Sequence, residues 1–284
     1  MSHYTVGVII DKNKIDNEVE SALKKMEEEE KTSPTEDDIE FARFLAIKWK
    51  VEEALGPFSE DLEVEPYVDL TVEEVQKKHE QVKNYTEEEM AENINKKELH
   101  ESLKDVDLET FAQKYYGKEL TDKGIMSTYN PNSKWDWYVI GGRWANTLPI
   151  KNKISNEAIH SGYSDDMDSC ARIEDIVFSK ELSDEEIKSY KKQYEKLKTE
   201  GEYYIPEYYI RRYPTFEVFL KSKSEFSTYA LLTSDGVWHA PGEMGWFGVS
   251  SATPEQEKEF KSYYNQLIAK ENPKNYFVLV DCHI

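Results

Sequence analysis

The C-terminal run Tyr276-Phe277-Val278-Leu279-Val280-Asp281-Cys282-His283-Ile284 is β-branched, aromatic and apolar, and reads as a core strand. Near the other end, Tyr4-Thr5-Val6-Gly7-Val8-Ile9-Ile10 has the same character and is closed by Asp11-Lys12-Asn13. Two such strands at opposite ends of a chain favour a central pairing. The expected fold is therefore α+β: an antiparallel or mixed sheet that pairs the N- and C-terminal strands, with helices on one face. Within the C-terminal strand, side-chain alternation sends Asp281 and His283 to one face and Cys282 to the other.

Bulk composition narrows the function classes. The 284 residues carry 36 Lys and Arg against 57 Asp and Glu, a formal charge of −21. Self-repulsion of that size opposes condensation on polyanions, so neither direct nucleic-acid binding nor adhesion to anionic lipid is expected. Mean hydropathy is low at −0.77. Yet 6 Trp, 19 Tyr and 11 Phe are too many aromatics for a chain that never packs, so it folds. Cys170 and Cys282 lie far apart without Cys-x-x-Cys spacing, which fits neither a disulfide framework nor a zinc knuckle and points to a reducing cytoplasm. The N-terminus lacks the basic and apolar segments of a signal peptide, and no apolar run is long enough to span a membrane.

Residues 15–125 read as an acidic helical insertion after a first core strand in 1–14, with a Trp- and Gly-rich α+β core over 126–284. Ile15, Val19, Ala22, Leu23 and Met26 share a helix face that runs into Glu27 to Glu30. Thr35 opens a second helix, stopped by Gly56-Pro57. Thr71 with Glu74, Thr86 with Glu89, and Ser183 with Glu186 match capping boxes, and Thr253-Pro254 starts a late helix through Phe260, Tyr264, Leu267 and Ile268. Phe216 to Leu220 and Tyr229 to Thr233 read as short strands, the latter turning through Ser234-Asp235-Gly236 into Val237-Trp238-His239.

Trp135-Asp136-Trp137-Tyr138-Val139-Ile140-Gly141-Gly142-Arg143-Trp144 is the most informative stretch: three Trp and one Tyr gather around a Gly pair and an arginine. Gly141 and Gly142 allow close backbone approach, and Arg143 can stack on a ring or grip a carboxylate or phosphate in two places. Trp238, His239 and the Gly245-Trp246-Phe247-Gly248 loop form a second aromatic cluster. One reading joins the two as walls of a pocket for a flat, anionic, nucleotide-like ligand, lined by Trp135, Trp137, Tyr138, Gly141, Gly142, Arg143, Trp144, Trp238, His239 and Trp246. Another makes them core packing around a bent strand, with Arg143 paired to one of the many acids. No phosphate-loop spacing is found.

Asp281, Cys282 and His283 place carboxylate, thiol and imidazole in a row, and His3 on the first strand could join Asp281 and His283. No metal-ligand spacing accompanies them, so no metal or cofactor is expected. Asp165, Asp166, Asp168, Glu174 and Asp175 read as a solvated acidic loop, whereas Arg211-Arg212, Lys151 and Lys153 are compact basic spots in an otherwise negative chain.

The wording and order of Trp135 to Trp144, Gly242-x-Met244-Gly245-Trp246-Phe247-Gly248 and Val280-Asp281-Cys282-His283 resemble a family of uncharacterised bacteriophage and prophage proteins. The resemblance covers the C-terminal half and not the acidic helices. It implies a source, an accessory protein acting on host defence in the host cytoplasm, and no reaction. Three functional classes follow from the residues. The first is a non-catalytic binder of a nucleotide-like molecule. The second is an acidic inhibitor, using Glu27 to Glu30 and Glu87 to Glu89 to dock on a basic host protein that normally holds nucleic acid. The third is a phosphoester hydrolase using His239, Asp281 and His283, with Arg143 stabilising developing charge. An oligomer is compatible with all three.

Overall fold

The computed structural model describes residues 2–30, 33–151, 169–199, 212–245 and 249–284. In chain order, β1 (His3–Ile10), α1 (Lys12–Glu30) and α2 (Glu36–Leu55) precede β2 (Tyr67–Thr71), α3 (Val72–Lys83), α4 (Glu87–Glu92), α5 (Ile94–Leu103), α6 (Leu108–Tyr116) and β3 (Gly124–Ser127). There follow β4 (Trp137–Ile140), β5 (Cys170–Arg172), α7 (Asp184–Thr199), α8 (Phe216–Ser224), β6 (Ala230–Leu232), β7 (Trp238–His239), α9 (Pro254–Lys270) and β8 (Tyr276–His283).

The terminal strands pair as expected. β1 and β8 run antiparallel in unbroken register from His3 opposite His283 to Ile10 opposite Tyr276. The mixed sheet has the order β4-β8-β1-β6-β7, with β1 and β6 parallel, and β5 also pairing with β8. Every residue of β8 is buried, which explains why it reads as a continuous apolar run rather than an alternating one.

Helices cover both faces, a second layer beyond the single one expected. Tyr4, Val6, Val8 and Ile10 point toward Ile15, Ala46, Ile47, Val51 and Leu55 of α1 and α2. On the reverse face Ile9, Leu231, Phe277 and Leu279 meet Phe260, Tyr264, Leu267 and Ile268 of α9. Both layers follow from local signals. Thr35 caps α2 with Asp38, and Thr253 caps α9 with Gln256 behind Pro254 in the first turn.

The chain divides into two compact units, 1–59 with 132–284 and 60–131. The helical region expected over 15–125 is thus split, because α1 and α2 bury their apolar faces on the main sheet. The smaller unit contains α3 to α6 and a two-stranded sheet of β2 and β3 around Val75, Val82, Leu103, Phe111, Ala112 and Ile125. Capping boxes at Thr71 and Thr86 start α3 and α4. Bonding to the Thr71 backbone holds the Glu74 carboxyl below its usual range, and Thr86 does the same for Glu89.

Phe216 to Leu220, expected as a strand, begins a helix. Thr215 caps α8 by accepting from the Val218 amide, and Phe216 and Phe219, one turn apart, both pack on Tyr194 of α7. That packing selects the helical period over the alternating one.

Gly7 faces Phe277 so closely that a Cβ there would lie 2.4 Å from the ring, and Phe178 and Phe226 hold that ring in place. Gly7→Ala is expected to cost about 1–3 kcal/mol through overpacking, read as a lower urea midpoint at unchanged slope.

Candidate functional site

The sheet brings the two chain ends together as a set of coupled imidazoles and carboxylates. His3 and Asp281 occupy the same face of β1 and β8, and His3 Nδ1 lies 2.9 Å from Asp281 Oδ1. Asp281 Oδ2 accepts from the Arg143 backbone N–H at 3.0 Å. That contact needs Gly142 at φ +51, where a Cβ would strike the Asp281 side chain at 2.5 Å. His283 Nδ1 sits 2.6 Å and 2.8 Å from the two Asp136 oxygens. An ionised carboxylate only accepts, so each Nδ1 carries the proton and each Nε2 is the remaining nitrogen. His283 Nε2 is buried and has no hydrogen-bond partner among the described residues. Trp137 stacks on the His283 ring at 4.9 Å and 17°, and His3 meets both rings edge-on. Pairing and stacking therefore tie the termini together and enclose His283.

The expected hydrolytic trio does not converge. His239 lies opposite Leu231 on β7, which pairs through β6 at the level of Gly7. Three strand spacings and four residues of rise separate it from His283, on the order of 20 Å. His239 instead meets Tyr263 edge-on and lies 3.4 Å from Thr233 Oγ1. Burial, opposed by Asp235, lowers its affinity for a proton.

The Trp-rich stretch also divides between the two faces of the sheet. Trp135 and Tyr138 pack on the α1 and α2 side, with Trp135 Nε1 donating to the Leu55 carbonyl at 3.1 Å. Trp144 packs on the α9 side. Trp137 is 41% exposed over the His pair, and the Arg143 side chain is exposed. A strand followed by the positive-φ pair Gly141 and Gly142 turns successive aromatics to different surfaces, so these residues do not line one pocket. Trp246 lies outside the described residues, as do Arg211, Lys153, Asp165, Asp166 and Asp168. The acidic run Glu87 to Glu89 forms the first turn of α4, where a helix N-terminus favours negative charge.

An aromatic cavity of about 500 Å³ opens elsewhere on the α1 and α2 side. Its walls include Tyr4, Phe58, Tyr229, Trp238 and Met244, and among the described residues expected in a binding pocket only Trp238 reaches it. Phe58 and Trp238 lie 5.1 Å apart, and Tyr4 meets Tyr229 edge-on at 5.5 Å. The polar groups of these walls are largely engaged. Tyr4 donates to the Lys134 carbonyl, and Tyr229 donates to the Gly242 carbonyl at 2.9 Å while bonding Ser250 Oγ at 2.7 Å. Lys134 Nζ contacts both Glu243 oxygens at 2.9 Å, leaving one neutralised ion pair in the lining. Burial pushes the Tyr4 hydroxyl far above the ordinary phenol range, so it stays protonated.

Sequence reading missed Asp136 as the partner of His283, although it stands inside the motif that drew attention. It also missed Tyr4, Phe58 and Tyr229 as walls. Alternation along β1 does separate Tyr4 from His3 and Thr5, but it carries no information about which loops frame that face. No protein-family model matches the chain, and neither a curated protein nor a solved structure matches it. Geometry alone therefore carries the functional reading.

Asp281→Ala removes the acceptor for His3 and for the Arg143 amide inside the core, and is expected to cost about 3 kcal/mol or more by chemical denaturation. Cys170 and Cys282 are both buried, and burial pushes the Cys170 thiol up to about 12 and Cys282 well above its ordinary value. Neither thiol should react with an aromatic disulfide reagent in the folded protein at pH 8. Both should react on unfolding.

Proposed function

We propose that the protein binds a small, flat, uncharged aromatic molecule of the nucleobase or nucleoside class in the cavity walled by Tyr4, Phe58, Tyr229 and Trp238. The carrying observation is the lining itself: four aromatic rings around a volume suited to a compact ligand, with both tyrosine hydroxyls already hydrogen-bonded within the protein. Ring faces, rather than charges, are what this cavity offers. Lys134 is neutralised by Glu243, and Arg143 lies at the His3, Asp281 and His283 cluster, so a phosphate finds no free cation among the described residues of this lining. A ligand of this kind gains from stacking and from burial of its apolar edges.

The reading is one of binding rather than turnover. The oriented imidazole of His283 is enclosed, and His239 stands apart from it, so neither presents an acid or base to this cavity.

Titration calorimetry and tryptophan fluorescence against adenine, guanosine, uridine and their monophosphates test the proposal. Bases or nucleosides should bind at least as tightly as the monophosphates. Trp238→Ala should weaken them about tenfold or more while the fold is retained. Uniform absence of binding by folded protein, or full binding by the Trp238 variant, would sink it.

A further inference from the structure

A second concavity lies between α8 and α9, away from the aromatic cavity, and its chemistry is the opposite. It has a volume of about 330 Å³. Pro214, Val218 and Ser222 recur at four-residue spacing on one side, and Pro254, Lys258 and Lys261 follow at spacings of four and three on the other. Val218 and Ser222 therefore share one face of α8, with Pro214 just before its start, and Pro254, Lys258 and Lys261 share one face of α9. Tyr213, Pro214, Val218 and Pro254 give the groove an apolar floor.

The charges in this groove do not cancel in pairs. Arg212 approaches Glu257 at 3.9 Å and Lys221 approaches Glu225 at 3.7 Å, which occupies two of the three lining carboxylates. Glu255 is exposed in the first turn of α9. Lys258 and Lys261 make no ion pair or hydrogen bond with any described residue. Lys261 is partly buried, and desolvation, reinforced by Arg212, holds its ammonium below the ordinary lysine range against the weaker pull of Glu257 and Glu225. Withdrawing an ammonium from water is unfavourable unless an anion compensates it. In a chain with 57 acidic residues such compensation would be easy to supply from within. Among the described residues only the weaker, unbonded pull of Glu257 and Glu225 supplies it, so beside an apolar floor Lys258 and Lys261 are placed to take an anion from a ligand.

We propose that the α8 and α9 groove binds a small organic anion, an apolar or aromatic body bearing a phosphate or carboxylate, with the Lys261 ammonium as anchor and Lys258 as its second cation. The apolar body lies on Val218, Pro214 and Pro254. The negative field of the whole protein opposes free polyanions, so selectivity favours ligands with one anionic group and a hydrophobic remainder.

Calorimetry of the intact protein with phenyl phosphate, benzoate and inorganic phosphate tests this directly. The two aryl anions separate phosphate from carboxylate recognition, and inorganic phosphate isolates the anion from its apolar body. At least one aryl anion should bind, about tenfold or more above inorganic phosphate. Lys261→Met should weaken it about tenfold or more at an unchanged unfolding midpoint, whereas Lys261→Arg should retain it. The tightest ligand should also protect Lys261 of the unaltered protein from acetic anhydride, read by peptide mass spectrometry. That readout serves if the methionine variant does not fold. Binding by none of the three compounds, undiminished binding by the methionine variant, or acetylation of Lys261 at saturating ligand would overturn the proposal. Equal affinity for inorganic phosphate would overturn its apolar half. Because this groove shares no lining residue with the Tyr4 and Trp238 cavity, neither result bears on nucleoside binding there.

Discussion

The ladder between β1 and β8 is the constraint on which the larger unit depends. β8 pairs with β1 along one edge and with β4 and β5 along the other, and all eight of its residues are buried. Strand positions elsewhere in the sheet are measured from it. A one-residue slip would exchange the apolar set that meets α2 for the set that meets α9 and would bring Asp281 and His283 into the wrong layer. Gly7 beneath the Phe277 ring and Gly142 against Asp281 are places where backbone without a Cβ allows that register to close.

That ladder explains the character of the polar cluster at the chain ends. His3, Asp281 and His283 resemble catalytic machinery as a list of residue types, and two of the contacts have the orientation that a general base would need. Their surroundings decide differently. The sheet buries Asp281, Trp137 covers His283, and the carboxylates bond each Nδ1, so among the described residues the cluster pairs the polar groups that the terminal pairing carries into the core, His283 Nε2 excepted.

Two concavities are lined by none of His3, Asp281 and His283. One cavity is aromatic and electrically balanced, and the other is cationic over an apolar floor. Their contrast follows from which helix faces them. The first is framed by the turn at Phe58 that follows α2, by Tyr4 of β1, by Tyr229 and by Trp238 of β7. The second is framed by α8 and by the side of α9 that carries Lys258 and, beside the buried stripe, the partly buried Lys261.

Much of the architecture was legible in the residues themselves. Valine and isoleucine runs at both ends marked the pairing strands, and Thr35, Thr71, Thr86, Ser183 and Thr253 marked helix starts, because capping and β-branching act within a few residues. Alternation also placed Asp281 and His283 on a common face, and the register between β1 and β8 added His3 to it. The sequence could not say that α9 covers the reverse face, that α1 and α2 belong to the main sheet, or that Phe216 starts a helix, since each depends on an apolar face meeting a partner far along the chain. Nor could it divide the tryptophans. Trp135 and Trp144 stand close in sequence and end on opposite sides of the sheet because a short edge strand and two positive-φ glycines lie between them. Local chemistry determined the elements, and long-range packing decided which of their side chains share a cavity.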